Sequence, residues 1–191
     1  MKLIFATQNE NKAKEIQKLM PTGIEILSLK DIECFDDIPE TATTLEGNAQ
    51  LKARFIAEKY KVNCFADDTG LEIEALNNEP GVYSARYAGE QKNSNDNMDL
   101  VLKKLASNEN RKARFRTSIC LIVDGKELMF KGIVEGEIRT EKSGSDGFGY
   151  DPIFEPENCG KTFAEMSMEE KNKRSHRARA FEKMVKELAN Y

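Results

Sequence analysis

The sequence predicts an α/β fold, a mixed β-sheet flanked by helices, and three observations carry that reading. Short apolar runs alternate with amphipathic helical stretches through the first half of the chain, the pattern of strands covered by helices. Two long runs joined by Asp124-Gly125 read as a β-hairpin, so the sheet is mixed rather than purely parallel. The 191 residues are 39% apolar and 32% charged, with no repeat, low-complexity tract or clear linker, which fits one domain spanning 1–191. A chain of this size buries roughly 70% of its unfolded surface and needs no disulfide or metal staple.

Each element follows from its local pattern. Residues 2–6, "KLIFA", read as a short buried strand; "TQN" breaks it, and Glu10 to Met20 has helical spacing through Ala13, Ile16, Leu19 and Met20. "IEIL" (24–27) is a second strand and 28–44 an acidic loop. Thr43-x-x-Glu46 spells a capping box opening a helix to about Tyr60, with Leu45, Ala49, Ala53 and Ile56 as its apolar seam. Asn48 and Lys52, four apart, point the same way on a neighbouring face. "VNCFA" (62–66) is a third strand ending at Asp67 and Asp68, and "LEIEAL" (71–76) alternates like a partly exposed fourth. After a loop over 77–90 come a helix over 94–106, the hairpin 113–123 and 126–138, and the glycine-rich loop "GSDGFGYDP" (144–152). Ser167-x-x-Glu170 is a second capping box, and Ser175 opens a last helix whose core face is Ala178, Phe181, Val185 and Leu188.

Composition excludes some functions. A net charge of −4, from 29 Lys+Arg against 33 Asp+Glu, argues against a general nucleic-acid coat but not against a local cation cluster holding a small anion. Four scattered cysteines and a single histidine, His176, make a structural zinc site a poor fit. A resident metal should be a hard cation on carboxylates, with Mg²⁺ first in line. The N-terminus has no signal-peptide pattern and "KLIFA" is too short to span a bilayer, so no membrane role and a reducing, cytoplasmic setting are expected.

Four stretches could carry chemistry. In "IFATQNENKAKE" a strand, polar turn and helix start would present backbone amides to a phosphate, with Thr7, Asn9 and Lys12 at hand; the plainer alternative is an N-cap and a solvated lysine. In "ADDTG" two carboxylates stand where ligands gather in open α/β sheets, and with Glu40 they could hold Mg²⁺ or take a proton from water; alternatively they punctuate a turn. "GFGYDP" sets two aromatics among glycines, offering a ring on which a base can stack, worth ~1–3 kcal/mol, or else a tight turn with its aromatics in the core. "EEKNKRSHRARAF" is a basic run with Ser175-His176-Arg177 at a helix start, suited to a carbonyl or phosphate oxygen, or simply a solvated face.

These motifs, in this order and together with "EGNAQLKA" (46–53) and "PGVYSARYAG" (80–89), closely resemble the inosine/xanthosine triphosphate pyrophosphatase family. The resemblance implies an elongated, mixed α/β fold of two lobes with the active site in the cleft between them, and a homodimer. It implies Mg²⁺-dependent hydrolysis of non-standard purine nucleoside triphosphates (ITP, dITP, XTP) to the monophosphate and pyrophosphate. By position, Thr7, Gln8, Asn9, Glu10, Asn11 and Lys12 would hold the phosphate tail, with Lys52 also reaching it. Glu40 and Asp68 would be the metal-associated carboxylates, Asp68 the general base and Thr69 a substrate contact. Phe148, Gly149, Tyr150, Asp151, Lys171, His176 and Arg177 would form the base and sugar pocket. Gln8 departs from the glycine or serine usual there and adds bulk beside the phosphates.

Specificity should lie at the purine 6-position, where a carbonyl acceptor replaces the amino donor of adenine. Donors from the main chain, His176 and Arg177 would be left unpaired by adenine, a discrimination on the order of a thousandfold. The rival readings are a pyrophosphatase for modified pyrimidine or methylated nucleotides, a nucleotide-binding sensor without catalysis, and a nucleic-acid binder using 171–179.

Overall fold

The computed structural model describes residues 1–19 and 21–191; the helical role expected of Met20 lies outside them. Seven strands and five helices follow one another along the described residues. In chain order they are β1 (Lys2–Phe5), α1 (Glu10–Gln17), β2 (Glu25–Leu27), α2 (Leu45–Tyr60), β3 (Cys64–Ile73), β4 (Glu79–Pro80), α3 (Ser94–Leu105), β5 (Lys112–Val123), β6 (Lys126–Ile138), β7 (Phe154–Pro156), α4 (Met168–Asn172) and α5 (His176–Leu188). The sheet runs β2-β1-β3-β5-β6-β7, with β4 on β3. It is mixed, as expected: β1 is parallel to β2 and β3, whereas β6 pairs antiparallel with β7 and β3 with β4.

The chain forms two compact units. Residues 1–68, 117–132 and 177–191 make the first, and 69–116 and 133–176 the second. In the first unit, strand alternation builds two separate cores. Leu3, Phe5 and Phe65 pack with Ile16 of α1 and Phe181, Met184 and Leu188 of α5. Ile4, Ala6, Cys64 and Ala66 pack with Ala49, Ala53 and Ile56 of α2. The in-register pair Phe5 and Phe65 stacks at 4.4 Å between centroids, nearly parallel. The second unit has one core, in which α3 lays Met98, Val101 and Leu105 on Phe115, Val134, Ile138 and Phe154.

Two local expectations are corrected, and one strand is added. The stretches 62–66 and 71–76 are not two strands: β3 runs unbroken from Cys64 to Ile73, with Asp67 and Asp68 inside it, and 74–76 is a short 3-10 turn. Residues read as a turn stay extended because the helices cover both faces of the strand and their charged groups meet the carboxylates. The cap of α2 lies one residue later than the capping box spelled: Thr44 is the N-cap, its Oγ1 accepting from Gly47 N at 3.0 Å, while Glu46 pairs with Lys131 at 2.8 Å. The strand β7 gave no signal, since a three-residue segment between prolines is too short for alternation to register.

No helix among the described residues is long and apolar enough to cross a membrane. All four cysteines are free; Cys34, Cys64 and Cys120 are buried, and burial pushes the Cys64 and Cys120 thiols up to about 12. The native protein should therefore show one readily modified thiol, the half-buried Cys159, towards a disulfide reagent at pH 8, and four after unfolding. Three or more fast-reacting native thiols would contradict this packing.

Candidate active site

The first unit gathers its ionisable groups around β3. Successive side chains of a strand face opposite ways, so Asp67 continues the face of Phe65 and Asp68 that of Ala66. Asp67 accordingly meets α1 and α5: its Oδ1 accepts from Lys12 Nζ at 3.0 Å and its Oδ2 from Arg177 Nε at 3.1 Å. Arg177 also donates through Nη1 to Glu15, one turn beyond Lys12 on α1. Glu15, Asp67 and Arg177 are all buried, and the result is a linked series Glu15–Arg177–Asp67–Lys12. Both Asp67 oxygens are engaged by cations, so this carboxylate is the counter-ion of Lys12 and Arg177.

Asp68 looks the other way, towards α2. Its Oδ2 accepts from Asn48 Nδ2 at 3.0 Å, and Lys52 lies within electrostatic reach. Lys52 Nζ donates to Glu40 Oε1 at 2.5 Å, so the acidic loop is drawn onto α2 by an ion pair whose lysine end is buried. Glu40 ends the site on the solvent side, its side chain 39% exposed.

The electrostatics separate the two neighbours. Burial alone would raise Asp67, but Lys12, Arg177 and Lys52 outweigh it and hold the carboxyl well below the ordinary range. Burial raises Asp68, Glu40 adds to the rise, and Lys52, Lys12 and the Asn48 bond only partly offset it. Lys12 is lowered by burial and by Lys52 and Arg177, against the pull of Asp67 and Asp68. Burial would lower Lys52 too, yet Asp68, Glu40 and Asp67 keep it raised. One carboxylate is thus locked in its charged form and its neighbour has a raised proton affinity, the split that suits a counter-ion beside a general base.

The turn after β1 satisfies itself. Thr7 Oγ1 accepts from Asn9 N, and Asn9 Oδ1 caps α1 by accepting from Asn11 N and Lys12 N. Gln8 turns outward and donates from Nε2 to the Asp36 carbonyl at 2.8 Å, which ties the turn to the loop bearing Glu40. Glu10 sits in an exposed pair with Lys30, and Asn11 is exposed.

The second unit holds the aromatic group. Asp151, buried, accepts on Oδ2 from Lys171 Nζ at 2.7 Å and from Phe148 N at 2.9 Å. Gly147 (φ +74°) makes this possible, because a Cβ there would lie 2.1 Å from that same oxygen. The Lys171 ammonium stands 4.8 Å from the Phe148 ring centroid and 5.5 Å from that of Phe163. His176 stacks on Phe115 at 4.6 Å with planes 15° apart. Tyr150 is a core residue, its hydroxyl donating to the Ser84 carbonyl at 2.6 Å; of the two aromatics in "GFGYDP", only the half-buried Phe148 offers a ring face. Thr69 is half-buried at the start of this unit.

The Ham1 family model matches residues 3–187. The chain belongs to the Ham1 family. A dITP/XTP pyrophosphatase of Flavobacterium johnsoniae is 59% identical over 185 residues, covering 97% of this chain and 96% of that protein. The Ham1 protein of Staphylococcus aureus superposes with a TM-score of 0.91 at 38% identity, covering 100% of this chain and 99% of that one. The HAM1 protein of Coxiella burnetii does so with a TM-score of 0.91 at 37% identity, over the whole of both chains.

Within this family member, sequence reasoning brought out Lys12, Lys52, Glu40 and Asp68, which the fold gathers in the first unit. Arg177, expected beside the base, forms ion pairs with Glu15 and Asp67. Glu15 went unnoticed; its signal was the i, i+3 spacing from Lys12, which puts both on one helix face. Removing one partner of a buried ion network leaves the others uncompensated, at a cost of ~3–5 kcal/mol. Asp67→Asn should lose stability on that scale in urea unfolding, whereas Glu10→Gln, in an exposed pair, should leave the midpoint unchanged.

Proposed function

We infer that the chain hydrolyses non-standard purine nucleoside triphosphates, ITP, dITP and XTP, to the monophosphate and pyrophosphate. It is a nucleoside triphosphate pyrophosphatase, a hydrolase that cleanses the nucleotide pool. The observation that carries the mechanism is a half-buried carboxylate, Asp68, held by Asn48 at 3.0 Å in the field of two lysines, Lys12 and Lys52, with its proton affinity raised. In the proposed reaction a water oxygen bonds to the α-phosphorus, the bond from that phosphorus to the oxygen bridging to the β-phosphorus breaks, and the water proton passes to Asp68. Lys12 and Lys52 hold the charge of the triphosphate and of the departing pyrophosphate. Thr7 to Asn11 line the phosphate turn, where Asn9 must share its capped amides with any bound oxygen.

The donor set fits a magnesium ion. No group of three or more His, Cys, Asp or Glu able to hold a metal occurs among the described residues. Mg²⁺ needs none, since it keeps several waters and takes one or two carboxylates plus substrate phosphates. Glu40 raises the proton affinity of Asp68 by like-charge repulsion, which a cation between them would relieve. Glu40 and Asp68 would hold the ion, and the chemistry it supplies when bound is neutralisation of triphosphate charge.

Phe148, Lys171, His176 and Asp151 are proposed to receive base and sugar, with Gly149 giving backbone access and Thr69 a further substrate contact. The two units would then act as one domain, 1–191, on one substrate. A cytoplasmic homodimer belongs to the same proposal and rests on the family resemblance; light scattering at twice the chain mass tests the dimer.

The decisive assay measures pyrophosphate release from ITP, XTP, GTP and ATP, with Mg²⁺ and with EDTA. ITP and XTP should exceed ATP by about a thousandfold in kcat/KM, and EDTA should abolish turnover. Equal efficiency on all four would refute the specificity, and nucleotide binding without pyrophosphate release would favour a sensor. Asp68→Asn should lose at least about a hundredfold in kcat while substrate binding survives.

A further inference from the structure

Asn48 stands in the first turn of α2, four residues before Lys52, and is buried. Its two amide ends do different work. Oδ1 accepts from the Ala42 backbone N–H at 2.9 Å, and Nδ2 donates to Asp68 Oδ2 at 3.0 Å. Only one orientation of the amide satisfies both neighbours. Reversed, it would set its NH₂ against the Ala42 N–H and its oxygen against a carboxylate, leaving two half-buried mismatches. No other residue type of the same length presents one donor and one acceptor in a fixed plane.

The segment it grips is itself closely packed. Ala42 follows two residues after Glu40, and a Cβ added at Gly47 would lie 2.6 Å from Ala42 Cβ. Thr44 locks the same corner from both sides, its Oγ1 accepting from Gly47 N and its carbonyl from Asn48 N at 3.1 Å. Asn48 thus has a rigid base from which to hold Asp68. Charged groups acting on that carboxylate include Lys52 on α2, Lys12 on α1, and Glu40. None of these lysines holds it through a planar group of fixed direction.

We propose that Asn48 is a positioning residue, bridging the Asp68 carboxylate to the Ala42 backbone so that the base and the Glu40 loop share one geometry. The inference rests on the pyrophosphatase reading and adds a residue to it. Asn48 acts through the plane in which it holds Asp68. Its loss should therefore appear in the chemical step and not in uniform substrate binding.

Two variants separate its functions. Asn48→Asp keeps an acceptor for the Ala42 N–H and, assayed at a pH high enough to remove the proton that two facing carboxyls share, loses the donor to Asp68, whereas Asn48→Leu, close in volume, loses both. Steady-state ITP hydrolysis is measured alongside amide hydrogen exchange at Ala42 by NMR without nucleotide or metal. Both variants should lose about 10- to 100-fold in kcat with KM within about threefold of the parent. Ala42 exchange should stay slow in Asn48→Asp and accelerate at least about tenfold in Asn48→Leu, as for a broken hydrogen bond. A kcat within threefold of the parent in Asn48→Asp overturns the proposal, as does a loss confined to KM. If Asn48→Leu does not fold, Asn48→Asp alone decides. Should the parent release no pyrophosphate from ITP, the functional reading fails with it, while the exchange data still report whether Asn48 tethers the loop.

Discussion

Two adjacent carboxylates in the middle of a covered strand are the constraint on which the first unit is organised. A buried carboxylate is tolerated only when cations and hydrogen bonds meet it. Because β3 is extended, Asp67 and Asp68 leave it on opposite faces and must each be met by a different set of helices. The α1–α5 face supplies Lys12 and Arg177, with Glu15 behind them; the α2 face supplies Asn48 and Lys52, with Glu40 behind. Apolar residues on those same faces do the packing: Phe65 sits beside Asp67 on one, Ala66 beside Asp68 on the other.

This division explains how residues of one type come to differ in chemistry. Asp67 has both oxygens in ion pairs and is held in its charged form. Asp68 receives a neutral amide at close range and feels its lysines less directly, so burial prevails and its proton affinity rises. The cations are split as well: burial works against the charge of both, but at Lys12 it prevails, with Lys52 and Arg177 adding to it, whereas at Lys52 the carboxylates of Asp68, Glu40 and Asp67 outweigh it. A polyanionic ligand would suit both, adding negative charge where Lys12 has too little and offering Lys52 an alternative to Glu40.

The second unit solves a different problem with the same economy. Asp151 orders the glycine-rich loop by accepting from the backbone of Phe148, and the buried Lys171 neutralises it. The pairing leaves Phe148 presented beside an ammonium and commits Tyr150 to the core. His176, the only histidine, is held flat against Phe115.

The amino-acid sequence by itself determined the periodic parts of this protein. The helices of 10–17, 45–60 and 94–105, the long hairpin and the final helix follow from spacing and caps, because amphipathic periodicity is a local property. The candidate residues of "TQNENK", "ADDTG" and "GFGYDP" were legible as motifs, and the order of those motifs pointed to the family. Tertiary structure alone decided that Asp67 and Asp68 lie within a strand, since the cations that meet the buried Asp67 and the half-buried Asp68 come from residues 12, 52 and 177. It also decided that Arg177 belongs with Glu15, that Tyr150 packs inward, and that Asn48 joins Asp68 to Ala42. Each of these is a contact between segments distant in the chain, and the charge state of a buried group is set by such neighbours rather than by the residues beside it in sequence.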